Sequence, residues 1–138
     1  MKNKKGFTLL ELVIVIVIVG VLSIVAVPVY RSYTENAYLT EAKALLGGVY
    51  KAEKIYYVEF GRFAVGSAKD SLGIDSSGNK FFRNFEIVET PNGGFSAYTN
   101  GEGPAASISL ALIVGENSAP YWSRGDSSSG GGGGSGGA

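Results

Sequence analysis

The chain has 138 residues, no Cys, no His, and equal numbers of basic and acidic residues. That length suits one ordinary domain, and the missing Cys and His exclude thiolate or imidazole metal centres, thiol nucleophiles, histidine-based triads and disulfide frameworks. The neutral total hides an asymmetry: Lys2, Lys4 and Lys5 stand at the very start, and beyond them nine basic residues face twelve acidic ones, a balance that argues against nucleic acid as a partner.

The first element is an apolar run from Phe7 to Val29, in which 18 of 23 residues are apolar. As a helix it would measure about 34 Å, enough for a hydrocarbon core of roughly 30 Å. Its Val and Ile content favours a strand in water, but a lone strand in lipid leaves its backbone groups unpaired, so helix is expected. The lysines before it place the N-terminus in the cytoplasm and residues from Tyr30 onward outside. A removable signal peptide fits less well, because the run exceeds the usual 7 to 15 residues and Ala26-Val27-Pro28 makes a poor cleavage site.

Glu11 is the most informative residue in the run. An acid inside a membrane span is costly and by default marks function. The seventeen Phe, Leu, Ile and Val side chains around it, each worth about −0.3 to −0.6 kcal/mol, outweigh a penalty near 3 kcal/mol, so insertion tolerates the acid without explaining it.

Lys4-Lys5-Gly6-Phe7-Thr8-Leu9-Leu10-Glu11, leading directly into the apolar run, resembles the class III leader and N-terminal motif of type IV pilins and the related pseudopilins. The resemblance is carried by a short basic leader, Gly before the cut, Phe after it, and an acid at the fifth place of the mature chain. It covers roughly residues 4–60. It implies that a prepilin peptidase cuts between Gly6 and Phe7 and methylates the new amino group of Phe7, and that an inner-membrane platform and an assembly ATPase are further partners. Gly20 and Pro28 fall where pilins carry helix-loosening residues; Gly and Pro cost about 1 and 3 kcal/mol in a helix interior. After the cut, the Phe7 ammonium lies about one turn from Glu11. The Phe7 amino group and the Glu11 carboxylate of neighbouring subunits are therefore expected to compensate each other in a bundle of such helices.

From Tyr30 the helix is expected to continue to about Phe60. Tyr38, Ala42, Leu45, Val49, Ala52, Tyr56 and Phe60 recur at helical spacing, with Asn36, Thr40, Lys43, Lys51 and Lys54 on the other side. Gly47-Gly48 suggests a bend or a close backbone approach, and Gly61 a stop. Residues 62–80 read as an irregular connector. Strands are expected at 82–89, 95–99 and 107–114, with Tyr121-Trp122-Ser123 as a short fourth, separated by Pro91-Asn92-Gly93-Gly94 and Asn100-Gly101-Glu102-Gly103-Pro104. The fold class is α+β: a long N-terminal helix, membrane-spanning in its first half, packed through its second half on a three- to four-stranded antiparallel sheet.

The expected organisation is a cleaved leader at 1–6, a transmembrane and assembly helix at 7–29, a head at 30–126 and a flexible Gly/Ser tail at 127–138. The tail lacks the Lys and the context of a phosphate loop. Glu116, Asn117 and Asp126 offer oxygen ligands but in no compact calcium-loop spacing, and Arg124-Gly125-Asp126 is too short a match to carry weight, so no metal, cofactor or catalytic residue is assigned. The paired acids Glu86 and Glu89 fall on opposite faces of one strand.

The expected function is a structural subunit, not an enzyme. It would be a precursor in the inner membrane that polymerises through its N-terminal helix into an extracellular pilus. A pseudopilin of a type II secretion system is the alternative, and an uncleaved single-span protein with an extracellular binding domain is a remote third.

Overall fold

A computed structural model describes residues 6–126; the basic leader cluster and the Gly/Ser tail lie outside the described residues. One helix, α1 (Leu9–Phe60), is followed by a 3-10 turn (Gly66–Leu72) and four strands. These are β1 (Glu86–Glu89), β2 (Phe95–Asn100), β3 (Ile108–Val114) and β4 (Tyr121–Asp126). The chain divides into two compact units, Met1–Asn36 and Ala37–Ala138. In the first, every described apolar side chain of α1 is exposed, and the helix is long and apolar enough to cross a membrane.

In the second unit the strands form one antiparallel sheet in the order β1-β2-β3-β4. Alternation decides which face is buried: Ile87, Phe95, Ala97, Thr99, Ile108, Leu110 and Leu112 all point to the core. All but Thr99 form one hydrophobic cluster with Ala42, Leu45, Leu46 and Val49 of α1. The core ends at β3. Trp122 pairs with Leu112 and so shares its face, yet it is 43% exposed where Leu112 is 2%.

Turn chemistry sets the register. Between β1 and β2 the Thr90 N–H donates to the Gly94 carbonyl at 2.9 Å and the Gly93 N–H to the Thr90 carbonyl at 3.1 Å. A Cβ on Gly94 would stand 1.8 Å from the Val114 carbonyl oxygen, so only glycine lets β3 approach there. Gly61 ends α1 as expected, with φ at +69° and its N–H donating to the Tyr57 carbonyl at 2.8 Å.

Several expectations are corrected. Residues 82–85 are not strand. The Phe81 and Phe82 N–H groups donate to Glu41 Oε1 at 2.7 and 2.9 Å, which removes them from any ladder and drops the Phe82 side chain, fully buried, into the core. The connector contains the 3-10 turn, fastened to β1 by Lys69, whose Nζ donates to the Phe85 carbonyl at 2.9 Å and pairs with Glu86 at 2.5 Å. The fourth strand runs to Asp126 and not only to Ser123. Gly47 and Gly48 have open space around them within this chain. The helical stripe holds from Ala42 to Val49 but leaves Phe60 exposed, and its next buried position is an acid, Glu53.

Candidate assembly site

Thr8 immediately precedes α1 and caps it. Its N–H and its hydroxyl both donate to Glu11 Oε2 at 2.9 Å, and the Glu11 N–H donates to Thr8 Oγ1 at 3.2 Å. This is a reciprocal capping box, which satisfies backbone donors that the first helical turn leaves free. The Thr-x-x-Glu spacing that signals it is present in the sequence. Glu11 was read against lipid there, and the cap was missed.

Phe7, just outside the cap, is 89% exposed. A Cβ on Gly6 would meet nothing within 4 Å, and the same holds for Gly20. Neither glycine is required by packing among the described residues. Pro28 lies inside α1 and cannot donate to the carbonyl one turn back. Between Gly20 and Pro28, the Ser23 hydroxyl donates to the Val19 carbonyl at 2.7 Å, a back-bond that competes with the helix ladder. Farther on, the Thr34 hydroxyl does the same to the Tyr30 carbonyl at 2.9 Å. The structure thus brings Glu11 to Thr8, leaves Phe7 open, and concentrates three weakening features at residues 20, 23 and 28.

The model of the prokaryotic N-terminal methylation motif matches residues 1–27. A fimbrial protein of Neisseria meningitidis serogroup A is 42% identical over 90 residues, covering 65% of this chain and 52% of that protein. A type IV major pilin protein PilE of Neisseria gonorrhoeae is 39% identical over 97 residues, covering 70% and 57%. The fimbrial protein EcpC of Eikenella corrodens is 33% identical over 123 residues, covering 86% and 79%. The chain therefore spans little more than half the length of the two Neisseria proteins but most of the third. No solved structure matches. A methylation motif at the N-terminus, an apolar helix followed by an α+β head, and a fimbrial relative matched over 86% of the chain agree: the chain belongs to the type IV pilin family.

Proposed function

We propose that this protein is a structural subunit, not an enzyme, made as an inner-membrane precursor with a cytoplasmic N-terminus and polymerised into an extracellular pilus. The observation that carries the reading is Glu11, a carboxylate on an exposed apolar helix that accepts hydrogen bonds from Thr8, one turn away, and forms no ion pair among the described residues. In a bundle of such helices a carboxylate without a counter-charge costs several kcal/mol, whereas the amino group of Phe7 on a neighbouring subunit compensates it. Apolar helices gain little from one another over lipid, so this polar pair can also fix their register.

The same reading assigns a leader at 1–6, a transmembrane and assembly segment at 7–29, a head at 30–126 and a tail at 127–138. A prepilin peptidase cuts between Gly6 and Phe7 and methylates Phe7; an inner-membrane platform and an ATPase drive assembly. That nothing among the described residues crowds a side chain at position 6 supports a role for Gly6 in recognition by the peptidase. Gly20 and Pro28 are read as the stretch that loosens when helices pack. Mass spectrometry of fibres sheared from cells tests the proposal: the expected N-terminal peptide begins at a methylated Phe7, and a peptide retaining Lys2 to Lys5 overturns it.

A further inference from the structure

Glu53 occupies a core position of α1, four residues after Val49, and is completely buried. Its Oε2 accepts the N–H of Ala64 at 2.9 Å, and Ala64 is itself completely buried. Its Oε1 is buried without any hydrogen-bond partner. Between these two residues the chain reverses at Gly61, and Phe63 stacks on Tyr57 with ring centroids 4.6 Å apart and meets Phe95 at 4.9 Å. Residues 61–65 are therefore held to the helix by an aromatic ladder and by one carboxyl group.

A buried carboxylate with one donor and an orphaned oxygen is poorly compensated, whereas the neutral acid needs far less. Among the described residues no ion pair involves Glu53. The titratable and charged groups near this position along the surrounding elements are Tyr50, Lys51, Lys54, Tyr56, Tyr57 and Glu59 on α1, Arg62 in the segment, Lys69 and Asp70 in the 3-10 turn, Glu86 and Glu89 on β1, and Tyr98 on β2. Lys54 sits over the Tyr50 ring at 5.0 Å, Lys69 is engaged with Glu86, and the core-facing residues of β2 and β3 carry no charge. We propose that Glu53 is a proton-held latch: as a neutral acid it clamps residues 61–65 onto α1, and its ionisation releases them and opens the Phe63–Tyr57 stack.

Burial pushes the Glu53 carboxyl above the ordinary glutamate value, and the Ala64 N–H offsets this only in part. In the unfolded chain the group titrates at the ordinary glutamate value. The folded state keeps its proton to higher pH, so the latch contributes fully below the unfolded value and is lost as pH rises through the folded one.

Hydrogen exchange at the Ala64 amide tests this, using the full chain in detergent micelles across the range above the ordinary glutamate value and correcting for base-catalysed chemistry. Wild-type protection is expected to fall, approaching about tenfold per pH unit above the folded pKa, while Glu53→Gln, a neutral isostere, holds its protection constant. A flat wild-type profile, or the same fall in both chains, overturns the latch. Should Glu53→Gln not fold, carbon-13 titration of the wild-type Glu53 carboxyl decides: a midpoint above the ordinary range is expected, and one at or below it overturns the proposal.

Discussion

Thr8 and Glu11 hold each other at the start of α1, with two donors from Thr8 on one carboxylate oxygen and the Glu11 N–H returned to the Thr8 hydroxyl. The carboxylate proposed to meet a neighbour's amino group is thus already partly satisfied. The proposed assembly role rests on charge, because the capped acid has no ion-pair partner among the described residues. Glu11→Gln keeps an acceptor for the cap and removes the charge. Fibre yield from sheared cells is expected to fall more than about tenfold with leader processing intact. A yield within twofold of wild type would falsify the charge-pairing role.

Thr8→Val separates the cap from the charge. Loss of an N-cap side chain costs about 0.5 to 2 kcal/mol, so faster amide exchange is expected at Leu10 to Leu12 while the rest of α1 keeps its protection. Unchanged exchange there would mean that Thr8 contributes nothing to the helix start.

Gly20→Ala and Pro28→Ala should each strengthen α1 in the isolated subunit, by about 1 and 3 kcal/mol respectively, since the added Cβ at 20 meets nothing in the chain. If this stretch loosens on assembly, both variants give fewer fibres from equally abundant, correctly processed precursor. Wild-type fibre yield from the two variants would count against loosening.

Glu41→Ala strands the Phe81 and Phe82 N–H groups, which now donate to Glu41 Oε1. Orphaned donors cost about 1 to 3 kcal/mol each when buried, and these sit in a half-buried site, so a total loss of about 2 kcal/mol is expected. Glu41→Gln retains the accepting oxygen and should recover most of it. Denaturant midpoints of the full chain in mild detergent measure the difference, and equal midpoints for the two variants would be the contrary result.

Gly94→Ala forces a methyl group against the Val114 carbonyl and is expected to cost more than about 2 kcal/mol by prising β3 from the β1–β2 turn. Gly48→Ala, in open space on α1, should instead stabilise by up to about 1 kcal/mol. Thermal melts of the pair should move in opposite directions.

The helix and its N-terminal motif were legible because their signals are local: a periodic apolar face, an acid at a fixed distance from Phe7, a glycine at the stop. The third strand was legible for the same reason, since Ile108, Leu110 and Leu112 alternate with smaller or polar neighbours. Residues 82–85 look like strand by composition, but the acceptor that keeps their backbone out of the sheet is Glu41, about forty residues earlier, and no local pattern carries that partnership. Glu53 was hidden differently. An acid interrupts a hydrophobic stripe, and the partner it meets there is a single backbone N–H eleven residues on.

The four strands lie in the sheet in the order in which they are made, each paired with the next. Such a meander closes only short loops, the condition under which chains search quickly for their native pairing. Glu41 with Phe81 and Phe82 is of another kind, because it joins residues 40 and 41 positions apart and closing that larger loop costs more entropy. The expected folding order is therefore meander first and helix docking second, with the Glu41 carboxylate recording when the second step is complete.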